Sequence, residues 1–205
     1  MVELAENDRE ILERKADEVE KALVGSGLVY HCTRVYGKDI SRVWALRKAA
    51  LGLLNGKKGN SKPVSVIEDT AVMPERLPEY MDDFAEMLKR LGLSCVYHAH
   101  IGSGELHLRP ILNVKDAADR ELFHTVARET ALLVKKHRGS LSGEHGDGRL
   151  RGEFIPLMYG TDIYKLFVEL KNTWDPEGIF NAGKIVNTPP MNTHLRYDVD
   201  QKYPE

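Results

Sequence analysis

The chain has 205 residues, 42% of them hydrophobic, which is enough for one sizeable core or two small ones. Its 29 basic and 31 acidic residues leave a net charge of −2, so it carries no basic footprint for nucleic acid. No apolar run approaches the ~18–20 residues of a membrane span, and Met1-Val-Glu-Leu-Ala-Glu is not a signal peptide. Cys32 and Cys95, each alone in an apolar segment with no CxxC, read as reduced core residues of a cytosolic protein.

Met1–Ala5 reads as a short strand. Asn7 with Glu10 makes a capping box for a helix whose spacing is kept by Ile11, Leu12, Ala16, Val19 and Leu23. Gly25 and Gly27 end it, and Leu28–Val35 is rich in β-formers and predicts a strand. Asp39 to Leu54 is helical, and Asn55–Pro63 is a polar loop whose lysines 57, 58 and 62 read as a solvated tip. Val64–Val72 predicts a strand interrupted by Glu68, Asp69 and Thr70. Pro74 opens a helix at a position where a missing N–H is harmless, with Leu77, Tyr80, Met81, Phe84, Leu88 and Leu91 as its core stripe. Val96–Asn113 reads as a hairpin, and Asp116 caps a long helix ending near His137. Ser140–Arg149 is a short strand running into a glycine-rich turn, and two short helices lie between Leu150 and Trp174. Asp175–Lys184 is a turn-rich loop, and the polar, proline-containing residues from Asn187 onward read as a tail or linker. Helices on one face of a mostly antiparallel sheet make this an α+β fold.

Three clusters carry polarity that packing does not explain. The first is the hairpin Val96-Tyr-His98-Ala-His100-Ile-Gly-Ser-Gly-Glu-Leu-His107-Leu-Arg109. With Ser103 and Gly104 as central turn residues, His100 lies opposite His107 and His98 opposite Arg109, with opposed Cβ atoms roughly 4.5–5.5 Å apart. Two imidazoles so placed suit zinc, iron or copper, and an added carboxylate keeps zinc, manganese and ferrous iron in play. From the hairpin alone, a metal grip and a cross-strand pair of hydrogen-bonded histidines are equally open. The second cluster is Gly143-Glu144-His145-Gly146, where Glu144 suits a third ligand and His145 a base. A plain helix-entry loop with a favourable acid accounts for the same residues. The third is Arg47, whose guanidinium fork suits a substrate carboxylate, although an unengaged helix-surface arginine is the commoner case.

The ordered set Trp44-x-x-Arg47, Glu68-Asp69 with Pro74-Glu-Arg-Leu77, His100-x-Gly-x-Gly-x-x-His107, Gly143-Glu-His-Gly146, and Asp175-Pro with Asn181-x-Gly183-Lys184 resembles the C-terminal domain of the FAD-linked oxidases. This is the family of D-lactate, glycolate and D-2-hydroxyglutarate dehydrogenases built on the vanillyl-alcohol-oxidase type of flavin fold. The resemblance implies a ferredoxin-like α+β domain over residues 1–186, with 187–205 as tail or linker. It matches His100, His107 and Glu144 to divalent-metal ligands, the metal being zinc, manganese or iron. It matches His145 to the acceptor of the hydroxyl proton and Arg47 to the holder of the substrate carboxylate, with Arg109 and His98 beside it. Asn181 and Lys184 match a loop lying near FAD. The implied reaction is oxidation of a D-2-hydroxy acid to a 2-oxo acid, with hydride passing to FAD.

The family's N-terminal FAD-binding domain has no counterpart in this sequence. The expectation is a substrate domain that binds no FAD alone and pairs with a flavin domain in the same or a companion chain. The location expected is cytoplasmic, membrane-peripheral only through an unknown electron acceptor. Glu105-Leu-His107-Leu-Arg109-Pro departs from the commoner Asn-Leu-His version, and Ile67 falls where some members carry a lysine. That version resembles the branch of large fused proteins with a C-terminal iron–sulfur domain. A metal- or carboxylate-binding module without redox chemistry is the rival reading.

Overall fold

The computed structural model describes residues 1–56 and 58–198, without the side chains of Leu51 and Asn55. Lys57 of the predicted lysine tip and residues 199–205 of the predicted tail lie outside the described residues. The chain divides into two units, Met1–Gly52 and Leu53–Glu205.

In the first unit, α1 (Arg9–Gly25) begins at Asp8, whose carboxylate accepts from Glu10 N at 2.7 Å and Ile11 N at 3.0 Å. The cap is therefore Asp8 and not Asn7, because Asp8 holds the extended backbone that aims its side chain at the free amides. Neither Met1–Ala5 nor Leu28–Val35 forms a strand. β-branched and aromatic residues favour strands when they fit a half-buried pleated surface, and here Leu28 and Tyr30 stand fully in solvent. Side chains fix that segment instead: Arg34 pairs with Asp17 at 2.7 Å and Glu20 at 2.5 Å, and Tyr36 donates to Glu13 at 2.9 Å, all on α1. The helix predicted from Asp39 is α2 (Ile40–Asn55).

The second unit is built on a small antiparallel sheet. Its central strand, β4 (Glu105–Leu112), pairs on one edge with β3 (Cys95–His100). On its other edge it pairs with β1 (Lys62–Pro63) and then β2 (Ile67–Ala71). Strand alternation sends Leu106, Leu108 and Leu112 of β4 to the core face. Against that face pack α3 (Leu77–Leu91), through Tyr80, Phe84 and Leu88, and α4 (Ala117–Lys136), through Phe123, Val126 and Val134. The fold is thus α+β, with these two helices on one face of the sheet. The Asp116 cap follows the sequence reading, which named no stop for α3. Asp116 accepts from Ala118 N and Asp119 N, and α3 stops at Gly92, which takes the left-handed conformation at φ 67. Cys95 is partly buried and Cys32 half-buried, and both are unpaired thiols.

Beyond α4, Ser140 bridges to Ala71, and α5 (Ile155–Tyr159) and α6 (Thr161–Trp174) follow. The described residues after α6 form no helix or strand, yet Val186 and Met191 are buried and Met191 N donates to Glu153 at 2.8 Å. One stripe of α6 stays uncovered: Ile163, Leu166, Leu170 and Trp174 are 44, 55, 60 and 77% exposed. No helix among the described residues is long and apolar enough to cross a membrane.

The two glycines of the hairpin loop separate cleanly. Gly104 sits at φ 77, and a Cβ there would lie 1.8 Å from the carbonyl oxygen of Val72, whereas a Cβ on Gly102 would meet nothing within 4 Å. Gly104→Ala is expected to cost about 2 kcal/mol or more, through the left-handed backbone and the forced shift of the Val72 strand end. Gly102→Ala should stay within about 1 kcal/mol of the parent. Urea unfolding midpoints of the two variants measure the contrast.

Candidate functional site

The face of the sheet turned away from α3 and α4 carries the polar residues. Along β4, Glu105, His107 and Arg109 alternate with the core leucines. On β3, His98 stands opposite His107 and His100 opposite Glu105. The expected His100/His107 and His98/Arg109 pairs are therefore displaced by two residues. The cause is the connection: Ile101–Ser103 form a single 3-10 turn closed by Gly104, with Ser103 Oγ donating to His100 O at 2.9 Å. Because the displacement is even, every side chain keeps its face. His100 then meets His107 on the diagonal, with ring centroids 5.1 Å apart.

Glu68 and Asp69 reach the same face from β2 although they are consecutive. The pairing runs Glu68↔His107 and then Thr70↔Leu106, leaving Asp69 as a bulge at φ 79. Thr70 thereby returns to the core side beside Tyr80. Asp69 is completely buried, and its carboxylate accepts from Glu144 N at 2.8 Å, His145 N at 3.0 Å and Ser142 Oγ. Its carbonyl accepts from Gly143 N at 2.8 Å. Arg151 closes the arrangement, donating to Gly146 O at 2.9 Å and to Glu68 O. A side chain at Gly143 would press on Glu105, its Cβ 3.1 Å from Cγ, so glycine lets this loop lie directly on β4.

The result is a compact group of histidines and carboxylates. His107 Nε2 is 3.6 Å from Glu144 Oε1 and 3.7 Å from Glu105 Oε1, and His145 Nε2 is 3.3 Å from Glu144 Oε1. The His107 and His145 rings stack at 5.6 Å. Ligand atoms of His100, His107 and Glu144 all lie within 4.8 Å of one another, as do those of Glu68, His107 and His145, and of Asp69, Glu144 and His145. Two buried atoms, Glu105 Oε1 and His107 Nδ1, have no hydrogen-bond partner. Imidazole and carboxylate together, with polar atoms left over, fit a zinc, manganese or ferrous ion.

Electrostatics follow from the crowding. Burial, with Asp69 and Glu144 nearby, pushes the Glu105 carboxyl up to about 7. Burial also pushes Asp69 upward, but its hydrogen bonds from Ser142, Glu144 and His145 outweigh this and leave it below the usual range. Burial lowers His107, reinforced by His100 and His145 and opposed by Glu68 and Glu144. Burial likewise raises Glu68, and the guanidinium of Arg109, 2.6 Å away, with Ser65, more than reverses it.

Of the residues expected from sequence, His100, His107, Glu144 and His145 come together, His98 flanks His107, and Arg109 joins through Glu68. Arg47 belongs to the first unit, on α2, its guanidinium 5.7 Å from the Trp44 ring. Asn181 and Lys184 sit on the loop after α6. There Asp175 accepts from Ile179 N, Phe180 N and Lys171 Nζ, and Asn181 takes the left-handed conformation at φ 52. Sequence reasoning gave no role to Glu68, Asp69, Glu105 or Arg151. Two acids inside an apolar strand were the available signal, since buried carboxylates demand donors. Arg151 offered none.

The raised Glu105 carboxyl gives a signed prediction. In the folded chain it binds its proton up to about pH 7, while unfolded it releases it near the ordinary value of 4.5. The metal-free chain should therefore lose stability as pH rises from 5 to 8. Glu105→Gln, which keeps a donor toward Asp69, should flatten that loss in thermal melts, while an equally steep loss in the variant would contradict the assignment.

Comparison with known proteins adds the following. The family model for FAD linked oxidases, C-terminal domain, matches residues 1–185. A D-2-hydroxyglutarate dehydrogenase of Pseudomonas putida is 37% identical over 174 residues, covering 81% of this chain and 17% of that protein. One of Haemophilus influenzae is 32% identical over 192 residues, covering 90% of this chain and 18% of that protein. A D-lactate dehydrogenase of Archaeoglobus fulgidus is 26% identical over 172 residues, covering 84% of this chain and 37% of that protein. The chain thus spans under a fifth of the length of the two D-2-hydroxyglutarate dehydrogenases.

Proposed function

Because the chain belongs to the FAD-linked oxidases, as their C-terminal domain, we propose that it is the substrate- and metal-binding part of a flavin-dependent dehydrogenase oxidising a D-2-hydroxy acid to a 2-oxo acid. The observation that carries this reading is the convergence of His100, His107 and Glu144, with His145 alongside, on one face of the sheet. That its relatives are D-2-hydroxyglutarate and D-lactate dehydrogenases supports the substrate class.

His100, His107 and Glu144 would hold the divalent ion. When bound, that ion supplies Lewis acidity that lowers the pKa of the substrate hydroxyl, and FAD supplies the acceptor for the hydride. His145 takes the hydroxyl proton; its Nε2 lies 3.3 Å from Glu144 Oε1 and its Nδ1 4.0 Å from Asp69 Oδ2. Arg109, with His98, orients the acid through its carboxylate. Asn181 and Lys184 would contribute the loop nearest FAD. The uncovered stripe Ile163, Leu166, Leu170 and Trp174 precedes that loop, and a contiguous exposed apolar patch marks an interaction surface. We assign it to the FAD-binding domain, which belongs to the same or a companion chain.

The test uses the complete protein carrying this domain, with FAD bound and a panel of D-2-hydroxy acids. His145→Ala should lower kcat at least about 100-fold. His107→Ala should remove both metal and turnover, and chelation should do the same reversibly. Near-normal turnover in both variants would sink the reading. Metal binding with no oxidation of any acid in the panel would favour a non-redox binding module.

A further inference from the structure

We infer that Glu68 is a positioning residue that, through one carboxylate oxygen, orients His107 and Arg109 together; this rests on His107 serving as a metal ligand. His107 lies between His98 on β3 and Glu68 on β2. Its Nε2 looks toward Glu105 and Glu144. Its Nδ1 is buried without a hydrogen-bond partner, and on that side stands Glu68 Oε1 at 3.7 Å. A neutral imidazole has one N–H and one lone pair, and the ligating nitrogen must supply the lone pair. Ligation through Nε2 therefore puts the proton on Nδ1, pointing at Glu68. The present 3.7 Å is longer than a hydrogen bond, and the proposal requires it to shorten when Nε2 is ligated.

The same Oε1 accepts from Arg109 Nη2 at 2.6 Å. Glu68 is in turn held by its strand pairing and by Arg151 on its carbonyl. Glu68, His107 and His145 also have ligand atoms close enough to share an ion. Glu68 is assigned the orienting role because its near oxygen is committed to Arg109 and faces Nδ1, the nitrogen turned away from Glu144.

The experiment has two readouts on the intact chain. In metal-free protein with 15N-labelled histidine, His107 should be the Nδ1–H tautomer in the parent and in Glu68→Gln, whose amide oxygen still accepts. It should shift toward Nε2–H in Glu68→Ala. In competition with a chelator, zinc affinity should fall about 10–100-fold in Glu68→Ala and largely recover in Glu68→Gln. An unchanged tautomer in Glu68→Ala, or zinc affinity within about twofold of the parent, overturns the proposal. Glu68→Gln losing zinc as severely as His107→Ala overturns it in favour of direct ligation. Should Glu68→Ala not fold, Glu68→Asp withdraws the carboxylate by one methylene and should give the same tautomer shift. A parent chain that binds no zinc defeats the metal reading, while the tautomer result still decides the role of Glu68.

Discussion

Asp69 is a fully buried carboxylate in the middle of a β-strand, and such a group is tolerated only when its oxygens are satisfied by donors. The donors come from Ser142 and from the backbone of Glu144 and His145. That single exchange seats the loop 142–146 on the sheet. Glu144 is half exposed and His145 nearly so, and the loop that carries them is held further by Arg151 on Gly146 O. The left-handed backbone at Asp69 is part of the same constraint, since only the bulge lets two successive acids share one face. An asparagine, or a regular strand, would leave the loop amides without matched acceptors.

The sheet divides the labour of the second unit. One face carries Leu106 and Leu108 against the helices, and the other carries Glu105, His107 and Arg109. Acids crowd the polar side, with Glu68, Asp69, Glu105 and Glu144 packed around three histidines. Arg109 and Arg151 offset part of that charge at its edges. The raised carboxyl of Glu105 reflects first its burial and then the acids Asp69 and Glu144 beside it.

The helices were legible because amphipathic spacing and caps are local. Asp116, Pro74 and Gly92 act within a turn of where they stand in the chain. The cap of α1 fell one residue later than expected, since Asn7 and Asp8 have equal chemistry and only backbone direction separates them. The supposed strand at Leu28–Val35 shows the limit of β-propensity, which takes its meaning from a paired, half-buried surface. In the hairpin, the alternating pattern identified the right face, while the turn type set the register and could not be read from Gly-Ser-Gly alone. The histidines announced themselves by residue type. Asp69 did not, because its partners lie 75 and 76 residues away and nothing local distinguishes a clamp from a defect.

Those separations also order events as the chain folds. Turns of α3 and α4 close contacts between near neighbours, and elements of that kind form in roughly a microsecond. Glu68 must find Arg109 across 41 residues, and Arg151 must find Glu68 across 83. Contacts of such span pay their loop-closure entropy before any reward arrives. The core pair Ile67 and Leu108 belongs to the same ladder as Glu68 and His107, so both faces of the sheet wait on the same long-range closure. The residues of the cluster lie on strands and loops, so helices formed alone hold none of it.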